Sequence, residues 1–267
     1  MAIYVISDMH GAYNRFIDLL NQVDFNEKKD VLYILGDCCD RLPNSGKMIE
    51  WMIEHKDNDN IKYLMGNHED FMLAWFNREY AEDYEMFYSS LWSWNGGDST
   101  WEYLMDFPRE KRKEFLDWVA AWPLFYDIEI NGERIVMVHA GLAIDGIRMS
   151  DDFYDEGINK EVEIKGFGKQ WSQSLLWIRE NWFISNKELP CHVIFGHTPT
   201  ERLFEFLKGI EEIVYGSSFL VQGGKGKICH FGPKFQKHAI DTGRGVLGML
   251  RLDDWEEFYS EVDEWSV

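Results

Sequence analysis

Short apolar runs that stop at polar, glycine-flanked clusters recur along this chain. Residues 3–6 are β-branched or aromatic, Asp8-Met9-His10-Gly11 follows closely, and Phe16, Leu19, Leu20 and Val23 then return at helical spacing. A switch from a compact apolar run to a helical period predicts strand, loop and helix in turn. The unit repeats: residues 31–35 form an apolar strand ending at Gly36-Asp37, and Met48, Ile49, Met52 and Ile53 mark the helix that follows. A third strand over 61–65 ends at Gly66-Asn67-His68-Glu69. Asp8, Asp37 and Asn67 lie 29 and 30 residues apart, close to one βαβ unit, so each falls just after a successive strand. The carboxyl ends of parallel strands form the binding crevice of an open α/β sheet, and this spacing gathers the three side chains there.

From about residue 71 to 122 the pattern is helical and rich in aromatics, including Trp92, Trp94, Trp101 and Trp118. This predicts a helical insertion whose indoles mostly pack in a core. Strand character returns over 124–130, turns at Asn131-Gly132, and resumes over 134–138 into His139-Ala140-Gly141. A strand over 192–195 ends at Gly196-His197-Thr198, and the last two, 237–240 and 246–252, flank a turn at Asp241-Thr242-Gly243. No repeat and no Pro/Ser/Gly-rich linker interrupts the 267 residues, so a single domain over 1–267 is expected. Gly223-Gly224-Lys225-Gly226 lacks the following helical pattern of a nucleotide-binding loop and reads as a plain loop.

Composition and charge narrow the function classes. With 45% hydrophobic and 16% aromatic residues the chain is globular and buries a large core. A net charge of −20 opposes nucleic-acid binding, and it requires that any phosphorylated substrate meet a local concentration of positive charge. Bound divalent cations or buried arginines would supply it. No run approaches the roughly 18 apolar residues of a membrane helix, and residues 2–6 lack the features of a signal peptide. A cytoplasmic protein without membrane association is therefore expected, with its four cysteines reduced and Cys38 and Cys39 acting as small buried side chains.

Asp8, His10, Asp37, Asn67, His139 and His197 all follow apolar strands, and this mixed oxygen and nitrogen donor set suits Mn, Fe or Zn rather than Ca. Any one of them alone reads as a turn or cap residue. Six at strand ends point to a metal centre. Ser7-Asp8-Met9-His10-Gly11, Gly36-Asp37-Cys38-Cys39-Asp40-Arg41, Gly66-Asn67-His68-Glu69, His139-Ala140-Gly141 and Gly196-His197-Thr198 together resemble the motifs of the calcineurin-like metallophosphoesterase superfamily. Asp40-Arg41 and Asn67-His68-Glu69 resemble its phosphoprotein phosphatase branch, especially compact bacterial and phage lambda-type serine/threonine protein phosphatases.

The resemblance implies an α/β fold, a two-sheet metallophosphoesterase sandwich flanked by helices, with the insertion added. It implies two divalent metal ions, Mn foremost with Fe or Zn as alternatives. Asp8 and His10 would hold one ion, Asn67, His139 and His197 the second, and Asp37 would bridge them. His68 would protonate the leaving oxygen, oriented by Asp40, while Arg41 and Arg179, with Asn67, would bind the substrate phosphate. The chemistry agrees: a bridged metal pair stabilises both attacking and leaving oxygens, and guanidinium forks match phosphate oxygens. The implied activity is hydrolysis of a phosphomonoester, on a phosphorylated protein or a small phosphoester, by metal-activated water without a phosphoenzyme.

Two other functions compete with this one. A symmetrical dinucleoside polyphosphate hydrolase, of the kind that cleaves diadenosine tetraphosphate, shares the superfamily motifs but differs at the position of Asp40 and carries Asp in place of Glu69. A catalytically silent binding module is opposed by the complete set of ligands together with His68 and Arg41. Ser7, Leu42 and Ala140 stand where the phosphatase branch usually has glycine; none removes a ligand, and Leu42 bears on the loop carrying Arg41. Asn95-Gly96-Gly97 resembles a turn near the site of compact members, and residues 151–170 are expected to shape the substrate entrance.

Overall fold

The computed structural model describes residues 1–144, 157–210, 220–243 and 245–265. In β1 (Ile3–Ile6) the alternation of side chains decides the layering. Tyr4 and Ile6 join the apolar cluster containing Phe16 and Leu19 of α1 (Tyr13–Gln22) and Met48, Ile49 and Met52 of α2 (Ser45–Glu54). Val5 instead joins Leu35, Leu64, Ile135, Met137, Ile194 and Ile240 in a second cluster contributed by both large sheets. One face of β1 is thus covered by helices and the other by a second sheet, the arrangement of a four-layer sandwich.

The first sheet has five strands in the order β13-β12-β1-β2-β3, with β2 (Val31–Ile34), β3 (Ile61–Tyr63), β12 (Leu247–Arg251) and β13 (Glu257–Ser260). Its β1, β2 and β3 run parallel, joined through α1 and α2. The second sheet has six strands in the order β4-β5-β8-β11-β10-β9. They are β4 (Phe125–Ile130), β5 (Glu133–Val138), β8 (His192–Phe195), β9 (Leu220–Gly223), β10 (Cys229–Gly232) and β11 (Lys237–Ala239). Within it β5, β8 and β11 are parallel. Each sheet therefore contains three parallel strands, and their carboxyl ends carry the site described below.

Helices α3 (Asn67–Phe76), α4 (Tyr84–Tyr88), α5 (Leu91–Trp94), α6 (Asp98–Met105) and α7 (Arg109–Ala120) occupy the expected insertion, which opens four residues earlier than the periodicity suggested. Nine of the ten α3 residues are buried, so its first turn sits on a rigid, interior element. The indoles there do not all pack: Trp92 and Trp101 are buried, whereas Trp94 is 74% exposed. Of the 151–170 segment, residues 151–156 lie outside the described residues; the remainder includes the hairpin β6 (Glu161–Ile164) and β7 (Gly168–Trp171). After β7 come α8 (Ser172–Trp177) and α9 (Glu180–Ile184), and α10 (Thr200–Ile210) follows β8. Among the described residues no helix is long and apolar enough to cross a membrane.

Candidate metal centre and active site

Asp8, His10, Asp37, Asp40, Arg41 and His197 all adopt positive φ, between 47° and 76°. Left-handed backbone is uncommon outside glycine and costs on the order of 1–3 kcal/mol per residue, so its concentration just beyond the strand ends marks a site rather than ordinary turns. The loops also approach one another closely. A Cβ on Gly36 would strike the Gly66 backbone, and one on Gly66 would strike the Asp37 carboxylate. Glu69 fastens this junction by accepting the N–H groups of Asp37, Cys38 and Gly66 at 2.8, 2.9 and 3.0 Å. It braces the loops that follow β2 and β3 against each other.

Asp37 sits at the centre. Its Oδ2 faces His10 Nε2 at 3.5 Å and His68 Nε2 at 3.9 Å, while Oδ1 faces His139 Nε2 at 3.4 Å. Two groups of donors, His10-Asp37-His68 and Asp37-His139-His197, have ligand atoms within 4.8 Å of one another and share Asp37. Asn67 completes the second group, its Oδ1 2.9 Å from His139 Nε2 and 2.8 Å from His197 Nδ1. Asp8, expected to ligate together with His10, falls in neither of these groups: it shares a cavity with His10, but its carboxylate accepts from the backbone N–H of His197, at 2.9 and 3.0 Å.

The donor chemistry fits divalent cations. The Leu35 carbonyl accepts from His139 Nδ1 at 2.7 Å, leaving the Nε2 lone pair against the oxygens of Asn67 and Asp37. Acceptors face acceptors with no proton between them, which a cation would resolve. His10 is fixed likewise, its Nδ1 donating to the Cys39 carbonyl at 3.1 Å. His197 Nε2 is buried without a partner among the described residues. Burial pushes His139 down to about 3, and burial, with the charges of Arg41 and Arg179 respectively, lowers His10 and His197 well below the usual imidazole range. These rings are therefore neutral and able to ligate. Burial and neighbouring carboxylates raise Asp8 and Asp37 well above the ordinary range, a penalty that nearby cations would reverse.

His68 donates from Nδ1 to Asp40 Oδ2 at 2.6 Å, and its Nε2 accepts from Arg41 at 2.8 Å. The same Asp40 oxygen accepts from Trp92 Nε1 at 2.8 Å, so one insertion indole serves the site rather than only the core. Burial lifts Asp40 to about 7, opposed by its hydrogen bonds and by Arg41. Arg41 also points Nη1 at His10 Nε2, 2.5 Å away, and its backbone N–H binds the Gly96 carbonyl at 2.7 Å, which places the Asn95-Gly96-Gly97 turn beside the site. Arg179, at the N-terminus of α9, lines one cavity with Asp8, His10, Arg41 and His197.

The structure thus brings Asp8, His10, Asp37, Asp40, Arg41, Asn67, His68, His139, Arg179 and His197 to one crevice. It adds Asp241, buried in the same cavity and pushed up by burial to about 6. Sequence reasoning used Asp241 only as a turn, although it directly follows the predicted strand 237–240 as the other site residues follow theirs. The six parallel strands contribute in turn: β1, β2 and β3 lead to Asp8, Asp37 and Asn67, and β5, β8 and β11 to His139, His197 and Asp241.

Comparison with known proteins places the chain in a family. A Chromobacterium violaceum protein named symmetrical bis(5'-nucleosyl)-tetraphosphatase is 31% identical over 142 residues, 53% of this chain and 44% of that protein. The match therefore spans less than half of that relative's length. Among solved structures, one provisionally assigned as a diadenosine tetraphosphatase aligns over 97% of this chain and 92% of its own, at 17% identity and a TM-score of 0.54. A Saccharomyces cerevisiae protein serine/threonine phosphatase aligns over 97% of this chain and 79% of its own, at 15% identity and a TM-score of 0.50. At such identities both establish the fold alone. The model of the calcineurin-like phosphoesterase family matches residues 1–235, and this chain belongs to that family of metallophosphoesterase hydrolases.

Proposed function

We propose that the chain hydrolyses a phosphoanhydride in a dinucleoside polyphosphate, the class of substrate named for its tetraphosphatase relatives. The observation carrying this reading is the cavity holding Asp8, His10, Arg41, Arg179 and His197, which has a volume of about 670 Å³. That is the size of a site for a whole nucleotide-like ligand, typically roughly 300–1,000 Å³, rather than for a lone phosphoryl group. In this assignment Asp37 would be shared by two divalent cations, Asp8 and His10 would help hold one, and Asn67, His139 and His197 would hold the other. Mn, Fe or Zn suits three imidazoles among six ligands. When bound, the cations stabilise charge developing on the phosphoryl oxygens. Arg41 and Arg179 orient the reacting phosphate, and once Arg41 has turned from His68 Nε2 to that phosphate, His68, held by Asp40, is free to offer a proton to the leaving oxygen from Nε2.

The phosphomonoester reading of the serine/threonine phosphatase branch stands second, and the His68–Asp40 pair favours it. A serine alkoxide needs a proton to depart, whereas a nucleoside diphosphate leaves with little help. The deciding measurement is the ratio of kcat/KM for diadenosine tetraphosphate to that for a phosphoserine peptide, with Mn, Fe and Zn added separately to stripped protein. A ratio well above one is expected; well below one, the phosphoprotein reading replaces it. Glu69 does not decide the matter, because its carboxylate is spent on backbone N–H groups.

A further inference from the structure

The cavity that holds Arg41 and Arg179 carries two further cationic side chains. Besides Arg41 and Arg179 its lining includes Arg202 and Lys225, together with Gly226 and Thr242. Arg202 lies in the first turn of α10, and Lys225 at the tip of the Gly223-Gly224-Lys225-Gly226 run, which connects β9 to β10. Gly224, Lys225 and Gly226 all have positive φ, and a Cβ on Gly224 would strike the Phe204 ring of α10. The turn is therefore pressed onto α10, which fixes Lys225 on the same rim as Arg202. Arg202 also lies near enough to Arg179 for the two charges to repel, lowering Arg179 after the larger effect of burial. Both Arg202 and Lys225 are exposed, and neither makes an ion pair among the described residues.

Like charges held together on a chain of net charge −20 call for an anionic counterpart. Glu201 and Asp241 share the cavity. Asp241 accepts from the Gly243 N–H at 2.9 Å and its charge partners are Arg41 and Arg179, while Glu201 is exposed and forms no ion pair with Arg202 or Lys225 among the described residues, so neither carboxylate pairs with the two outer cations. We propose that Arg202 and Lys225 form a second anion subsite, which holds phosphate groups of a linear polyphosphate beyond the one being cleaved. The proposal rests on the polyphosphate reading above and assigns a role to a glycine-rich loop that sequence pattern left without one. A monoester of a peptide has no second phosphate to offer this rim.

The test compares tripolyphosphate with orthophosphate as inhibitors of p-nitrophenyl phosphate hydrolysis, at fixed free Mn, in wild type and in R202A/K225A. Both positions are exposed, so the fold tolerates the change. Loss of two exposed charge contacts should raise the inhibition constant for tripolyphosphate roughly fivefold to tenfold more than that for orthophosphate. The charge-keeping pair R202K/K225R should restore most of the difference, and added salt should shrink it. Equal changes for both inhibitors, or none, overturn the subsite. Wild-type protein that fails to cleave diadenosine tetraphosphate overturns the catalytic reading instead, a result the inhibition ratio does not depend on.

Discussion

The ring of His68 is held at both nitrogens, by Asp40 at 2.6 Å and by Arg41 at 2.8 Å. Asp40 orients the ring through Nδ1, and Nε2 lies 3.9 Å from Asp37, where a leaving oxygen would meet it once Arg41 turns to the substrate phosphate. His68→Asn should therefore keep its bound metal, read by elemental analysis, while turnover of alkyl phosphates falls roughly 10²–10⁴-fold. Loss on p-nitrophenyl phosphate should be much smaller, since that leaving group needs little protonation. Equal loss on both would remove His68 from the acid role. Asp37 differs because each of its oxygens faces a different donor group. Asp37→Ala should lose both ions, whereas His139→Ala should lose mainly one; full metal content in Asp37→Ala would end the bridging assignment.

At the scale of elements, most of the site was legible because polar residues interrupt apolar runs at strand ends. Asp8, Asp37, His139 and His197 announce themselves that way, and Asp241 carries the same signal unread. The strands that escaped notice, β6, β7, β9, β10 and β13, lie outside the parallel triads. Glu161-Val162-Glu163-Ile164 and Leu220-Val221-Gln222-Gly223 are half polar or exposed, so no apolar run marks them. Pattern could not show that Glu69 ties two loops together either. Glu69→Asp shortens the side chain by one methylene, so it cannot reach all three N–H groups; a loss of about 1–3 kcal/mol in urea unfolding is expected, with substrate preference unchanged. The amino group of Lys237 does comparable work for α9, donating to the carbonyls of Trp182 and Ser185 at 2.6 and 2.8 Å. Burial pushes it down to about 7 from 10.5, so between these values the unfolded chain binds more protons and stability rises with pH. Relative to Lys237→Met, wild type should gain up to about 3 kcal/mol between pH 7 and 9.5 in urea titrations, less whatever the carbonyls and the Trp182 ring recover for the charged form. Parallel pH curves for the two proteins would contradict the buried amine.

Across the whole molecule, the candidate ligands straddle the sandwich. Asp8, His10, Asp37 and Asn67 follow strands of the first sheet, and His139 and His197 follow strands of the second. The apolar contact between the sheets is the smaller of the two clusters, so the polar end of this interface depends on what neutralises its carboxylates. Metal binding that requires both sheets in register stabilises only the folded state, by about 2.7 kcal/mol at a hundredfold excess over the dissociation constant. For a chain of this size each kcal/mol shifts the melting temperature by roughly 2–4 °C, so stripping the metal should lower it by about 5–10 °C. Restoring Mn should recover the loss in wild type but not in Asp37→Ala, while Arg179→Ala, at a position outside both donor groups, should respond as wild type does. A melting temperature indifferent to chelation, in protein shown by elemental analysis to have held metal beforehand, would mean that the ligands do not link the two sheets.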